Sequence, residues 1–104
     1  MIVYGLKACD RCRKAVKALE GAVLHDVRDD GMPGAVLGAA YERFGTDLVN
    51  TRSTTWRGLD PAERAEDGLV LLRRHPALMK RPLIESEGRL HLGWNDEVRK
   101  ALGE

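Results

Sequence analysis

The chain opens on a short apolar run, Ile2 to Tyr4, bounded by Gly5, and a run of that length with a glycine stop predicts a buried strand. From about Asp10 the apolar period changes. Cys12, Ala15, Val16 and Leu19 recur at i, i+3, i+4 and i+7, the stripe of an amphipathic helix, while Arg11, Arg13, Lys14 and Lys17 fall away from it. Gly21 closes that helix. Ala22 to Val27 predicts a second strand, and the "RDDGMPG" that follows is rich in turn formers and reads as a loop. From about Gly34 to His75 the pattern is mostly helical: "AVLGAAYERF" has the helical period, and in "LDPAERAEDGLVLLRRH" Asp60 is placed as an N-cap ahead of Pro61, with Pro76 beyond the end. Finally "RPLIESEGRLHL" gives two apolar segments around Ser86-Glu87-Gly88, a hairpin signal, and "NDEVRKAL" a terminal helix with Asn95 as its cap.

The order β-α-β, helical block, β-β-α has the form of an α/β thioredoxin-like core, a mixed sheet flanked by helices, with a helical insertion at about 34–75. A chain of 104 residues is long enough for one core and too short for two independent ones, so a single domain over 1–104 is expected. Lys plus Arg (17) nearly balances Asp plus Glu (16), so global charge gives no reason to expect direct nucleic-acid or membrane binding. Nor does any apolar run approach the roughly 20 residues of a membrane span. The strand-like start, with no basic lead or cleavage pattern, is unlike a signal peptide, and a cytoplasmic location is expected.

The two cysteines, Cys9 and Cys12, stand three apart and do not form a disulfide framework of the secreted kind. Such a pair in a reducing compartment reads as redox-active or metal-binding, or as two small core residues. Zinc requires four ligands in a structural site, and the remaining candidates, His25, His75 and His91, are in no paired spacing, so no metal is expected. Each histidine reads as a structural or surface residue. A thiol is a nucleophile only when ionised, and Cys9 falls where a strand turns into a helix whose free N–H groups favour a thiolate, with Lys7 two residues before it. Lowering a thiol from a pKa near 8.5 to about 7 raises its ionised fraction at neutral pH from about 3% to about 50%. Cys12, one turn on, lies on the same face. Arg11, Arg13 and Lys14 oppose the helix dipole, which suggests that some of them face an anionic sulfur or substrate; the alternative is ordinary solvated charge.

Four ordered blocks, "YGLKACDRCRKA", "LVNTRSTTWRGL", "LMKRPLIE" and "RLHLGWNDEVRKAL", together resemble the arsenate reductase-like (ArsC/Spx) family over essentially the whole chain. The opening and "NTRSTTWRGLD" look most like its short YffB-type members, and the Cys-x-x-Cys and carboxyl-terminal segments look at least as similar to Spx. The resemblance implies a thioredoxin-like fold with a helical insertion. It makes Cys9 the catalytic cysteine, Arg81 the oxyanion-binding arginine of an Arg-Pro motif, and Pro82 the proline expected in cis. Arg52 matches, more loosely, a basic position in the insertion. Leu6-Lys7-Ala8 stands where arsenate reductases have His-Asn-Pro, a departure that bears on arsenate as substrate. Cys12 is shared with Spx and absent from many glutathione-dependent relatives.

Read together, these residues lead to the expectation of a thiol-dependent oxidoreductase in which Cys9 attacks an oxidised sulfur or an oxyanion, and Cys12 or glutathione resolves the adduct. Arg81, Lys7 and Arg52 would hold the negative charge. Thr54, Thr55 and Trp56 either line the pocket or serve in capping and core, and Trp94 reads as core. No tightly bound cofactor is expected; glutathione is the implied co-substrate, or a thioredoxin or glutaredoxin system the electron donor. The alternative implied by the resemblance is an Spx-like redox sensor that binds RNA polymerase. The short segment after the terminal helix favours the reductase, since typical Spx proteins carry a longer tail.

Overall fold

A computed structural model describes residues 1–103. Among them four strands form one mixed sheet in the order β2-β1-β3-β4: β1 (Ile2–Gly5), β2 (Val23–Asp26), β3 (Leu83–Ser86) and β4 (Arg89–Leu92). β1 runs parallel to β2 and antiparallel to β3, which pairs antiparallel with β4. A parallel neighbour needs a crossover, and α1 (Asp10–Ala18) supplies it. The remaining α-helices are α2 (Val27–Asp30), α3 (Gly34–Phe44), α4 (Thr54–Arg57), α5 (Pro61–Arg64), α6 (Gly68–Arg74) and α7 (Asp96–Ala101), with short 3-10 turns at Gly45–Leu48 and Pro76–Leu78. The fold is a thioredoxin-like mixed sheet flanked by helices.

The chain divides into two compact units. One comprises Met1–Asp30 together with the chain from Arg81 onward and holds the whole sheet; the other is Gly31–Lys80. In the sheet unit, alternation sends Val3 of β1 and its partner Ile84 of β3 to one face, where they form a core with Ala15 of α1, Leu19 just after it, and Val98 of α7. Trp94 packs on that core, as its reading as a core residue implies, and the Arg99 guanidinium lies 5.8 Å from its ring centroid. The predicted stripe on α1 is the buried one, with Cys12 and Ala15 fully buried and Leu19 nearly so. Asn95 caps α7 by accepting the Val98 N–H at 2.9 Å. The β3–β4 hairpin closes through Glu87 and Gly88, both at positive φ (51° and 77°), the conformation of a two-residue turn that suits twisted strands.

In the Gly31–Lys80 unit α6 packs on α3, and a short antiparallel bridge between Val49 and Met79 ties the middle of the unit to its end, with Lys80 N–H donating to Leu48 O and Asn50 N–H to Leu78 O, both at 2.8 Å. The insertion expected at about 34–75 falls inside this unit. Two details differ from the sequence reading. Val27, expected as the end of the second strand, and Arg28–Asp30 of "RDDGMPG" instead form a helical turn, because Asp26 accepts the Arg28 and Asp29 N–H groups and starts it. The stretch after Asp60 is two helices and not one. Asp60 does cap α5, accepting the Glu63 N–H at 2.8 Å, but Asp67 then accepts the Leu69 N–H at 2.9 Å and begins α6 anew. Gly68 follows, and a Cβ there would fall 2.7 Å from the Tyr41 hydroxyl of α3, so that side chain would have to shift to admit one.

Candidate active site

The sheet's register decides which loops meet. β1 and β2 are parallel with Gly5 opposite Asp26, so their carboxyl ends lie side by side, and antiparallel pairing of Tyr4 with Leu83 sets the amino end of β3 next to them. Three segments therefore converge at one end of the sheet: the turn from β1 into α1, the turn from β2 into α2, and Arg81-Pro82 ahead of β3. The Arg81–Pro82 peptide is cis, and Pro82 O accepts the Gly93 N–H at 2.8 Å.

Cys9 is the N-cap of α1, with extended backbone (φ −82°, ψ 118°), its N–H donating to Leu6 O at 3.0 Å and its carbonyl accepting the Arg13 N–H at 3.1 Å. The N-cap position places its half-buried sulfur among the open N–H groups of the first helical turn. The Cys12 thiol and the Arg81 guanidinium donate to that sulfur, and the Cys12 backbone N–H, without closing a capping hydrogen bond, also favours its ionised form. Burial is the largest influence on it and opposes ionisation, yet the hydrogen bonds from Cys12 and Arg81, with the guanidinium charge, outweigh it. The Cys9 thiol titrates below its ordinary value of 9.0.

Cys12 behaves in the opposite way. It is buried, and burial first, then its hydrogen bond to the Cys9 sulfur and the charge there, push its thiol up to about 12, against smaller opposing effects of the Leu6 N–H and Arg81. At neutral pH it holds its proton and offers it to Cys9. One sulfur is an anion in waiting and the other its donor.

The site thus brings together Cys9, Cys12, Arg81 and Pro82 of the sheet unit. Lys7 is placed differently from the sequence expectation: its ammonium is exposed and pairs with Asp29 at 3.0 Å, which raises its pKa, and the charge that acts on Cys9 comes from Arg81. Arg13 and Lys14 likewise turn to Asp10, at 3.7 and 3.0 Å, in place of facing the sulfur. Solvent makes such exposed pairs an inexpensive way to offset cations at a helix start. Arg52 belongs to the Gly31–Lys80 unit, where it is exposed in the turn before α4, its N–H on Asn50 Oδ1 at 3.0 Å and its carbonyl accepting from Arg57. In the same unit the Ser53 hydroxyl caps α4 through the Trp56 N–H, and Arg64 lies over the Trp56 ring. Among the described residues no group of three or more His, Cys, Asp or Glu side chains could hold a metal ion, and no helix is long and apolar enough to cross a membrane.

Two residues of this end of the sheet escape sequence reading. Gly5 lies on the same face of β1 as Val3, toward α1, and a Cβ on it would fall 2.2 Å from Cys12 Sγ. Its signal was present but ambiguous, since a glycine after a strand also reads as a simple stop. Asp26, at the end of β2, is buried, and its carboxylate accepts the N–H groups of Lys7, Arg28 and Asp29 at 2.8–3.0 Å. A lone aspartate in an apolar strand was its only trace.

The model of the ArsC family matches residues 4–102. The chain belongs to the ArsC family. An uncharacterized protein of Haemophilus influenzae is 41% identical, with 95% of each chain covered. Global transcriptional regulator Spx 2 of Bacillus cereus is 26% identical over 98% of this chain and 86% of that protein. Among solved structures, the YffB protein superimposes with a TM-score of 0.86 at 30% identity, covering 97% of this chain and 96% of that one. An arsenate reductase (ArsC) related protein from Brucella melitensis gives 0.70 at 28% identity, over 96% and 91%. These relatives frame the function as that of a thiol-dependent reductase or an Spx-like regulator.

Proposed function

We propose that this ArsC-family protein is a thiol-dependent oxidoreductase with Cys9 as its nucleophile. The observation that carries the reading is that the half-buried Cys9 sulfur accepts hydrogen bonds from both Cys12 and Arg81 at the start of α1, which favours its thiolate and leaves it reachable. With a disulfide substrate, the Cys9 thiolate attacks one sulfur, forms a mixed disulfide and expels the other as a thiolate. Cys12 then gives up its proton and attacks Cys9, closing the Cys9–Cys12 bond and releasing the second substrate thiolate; the protein pair is oxidised by two electrons and the substrate reduced by two. With an oxyanion, Cys9 bonds to the central atom with loss of water, and attack of a second thiol on the Cys9 sulfur leaves the electron pair on that atom. Arg81 offers a planar fork suited to the anion in either case.

Cys12 starts far less acidic than an ordinary thiol, so resolution by an external thiol such as glutathione competes with the internal route. Mass spectrometry after mild oxidation, with and without glutathione, tests this: Cys9 is expected to be bonded to Cys12 or to glutathione, and a Cys9 found in neither form, or turnover that survives Cys9→Ser, overturns the reading. A second reading is favoured by the Spx relative that matches across 98% of this chain. Here the same pair senses oxidants and the protein docks on RNA polymerase; recovery of polymerase by the reduced or oxidised protein, with no reductase turnover, selects it.

A further inference from the structure

We propose that Asp26 is a positioning residue for Cys9, holding the turn that leads into it through the backbone N–H of Lys7. The inference rests on the reading of Cys9 as the reacting sulfur. Asp26 ends β2 directly beside Gly5, the end of β1, and is only 7% exposed. Its two oxygens have separate tasks. Oδ1 accepts the N–H groups of Arg28 (2.8 Å) and Asp29 (3.0 Å), a local arrangement that starts α2. Oδ2 takes no part in that and accepts the Lys7 N–H at 2.9 Å, from a residue 19 positions earlier.

An asparagine would cap α2 equally well with its single oxygen and without the cost of burying a charge. What the carboxylate adds is the second acceptor, and that acceptor is aimed at the Cys9 turn. Lys7 is the second residue of the turn closed by the Cys9 N–H to Leu6 O bond at 3.0 Å. The Leu6 N–H reaches the Cys12 sulfur, so the segment from β1 to Cys9 is already tied to α1. The Asp26 bond fastens it to β2. With the turn held on both sides, the Cys9 sulfur is kept where the Cys12 N–H, the Cys12 thiol and Arg81 all reach it. Loosening the turn lengthens those bonds, and the thiolate loses what stabilises it.

The test is the pH dependence of Cys9 alkylation by iodoacetamide in the full chain, which reads the thiol directly and needs no substrate. In Asp26→Asn the oxygen can stay on Arg28 and Asp29, but the amide N–H then points at the Lys7 N–H, donor against donor. With the fold retained by circular dichroism, alkylation at pH 7 is expected to slow about 3- to 10-fold and its pH profile to move to higher pH. Asp29→Asn, which removes only the surface pair with Lys7, is expected to stay within about twofold of the parent protein. An unchanged profile in folded Asp26→Asn would reduce Asp26 to a helix cap, and a faster reaction would show that its charge merely opposes the thiolate; either overturns the proposal. Should Asp26→Asn fail to fold, hydrogen exchange in the unaltered protein decides: a protected Lys7 amide supports the tie, and a Lys7 amide exchanging like an unstructured peptide removes it. A parent Cys9 titrating at or above 9 defeats the proposed function, whereas the ratio between variant and parent tests Asp26 alone.

Discussion

Cys12 Sγ rests against the Cα of Gly5. A methyl group at residue 5 would fall 2.2 Å from that sulfur and 3.1 Å from the Cys12 Cβ, so the donor thiol occupies the space that the missing side chain leaves. Because the obstacle is a helix-borne buried side chain packed against a central strand, Gly5→Ala cannot be absorbed by a flexible tip. Forcing extra volume into such a site costs about 1–3 kcal/mol. Gly5→Ala is expected to lose that much in urea unfolding, and the displaced Cys12 to leave Cys9 less acidic in the same alkylation assay. A variant of parental stability and thiol reactivity contradicts this packing.

Cys12 acts on Cys9 through hydrogen bonds, and its substitutions separate the thiol from the backbone. Cys12→Ala keeps the N–H and removes the S–H, so the Cys9 pKa is expected to rise. Cys12→Ser restores a hydroxyl donor and is expected to recover part of the lowering. Equal Cys9 titration in both variants would assign the whole effect to the Cys12 N–H and Arg81.

Arg81 contributes both a donor and a charge to Cys9. Arg81→Gln removes the charge and is expected to slow Cys9 alkylation at pH 7 about 3- to 10-fold and to move its pH profile upward. Arg81→Lys keeps the charge without the planar fork, so thiol acidity is expected to recover more fully than reductase turnover. If Arg81→Gln leaves the alkylation rate unaltered, the guanidinium is not what ionises the sulfur.

The raised Cys12 pKa makes the fold sensitive to alkali. In the unfolded chain this thiol ionises near its ordinary 9.0, whereas the folded protein holds the proton to about 12. Between those values the unfolded state binds fewer protons, so stability falls as pH rises. Cys9, lowered in the fold, acts in the opposite sense and adds stability as pH rises toward the same unfolded 9.0, so its rise ends where the Cys12 loss takes over. Urea midpoints measured from pH 9 to 11 are expected to fall with pH, and Cys12→Ala to flatten the fall; an unchanged slope in that variant assigns it to other groups.

Asp26 gives an acid limb of the opposite sign. The Lys7 and Asp29 N–H groups, and then that of Arg28, hold its carboxyl below the ordinary value of 3.8 against the effect of burial, with the Lys7 charge adding to them. Its contribution is therefore complete above about pH 4 and is lost as pH falls through the lower folded value. Asp26→Asn is expected to be less stable at neutral pH and to approach the parent protein as the pH is lowered toward 2. Curves that stay parallel throughout would show that the ionised oxygen contributes nothing beyond an amide.

Much of the fold was legible because the deciding interactions are local. The α1 stripe of Cys12, Ala15, Val16 and Leu19, the Asp60 and Asn95 caps and the turn between β3 and β4 each depend on residues within a few positions of one another. The Cys9-Cys12 spacing belongs to the same class, since one helical turn places both sulfurs together. The division of "LDPAERAEDGLVLLRRH" into α5 and α6 was not read, because the local Asp67 cap on Leu69 competes with an unbroken helical period, and the close neighbour of Gly68 is Tyr41, 27 positions before it. Nor were the partners of the cations, since Lys7 finds Asp29 only after β1 and β2 have paired. By itself the sequence determined a helix start with two cysteines and the family to which they belong. Tertiary structure alone decided that Arg81 reaches the first sulfur, that Gly5 makes room for the second, and that Asp26 ties down the turn between strand and helix. Those relations join residues up to 72 positions apart, Cys9 to Arg81, and arise from the sheet's register, which side-chain periodicity along one segment does not encode.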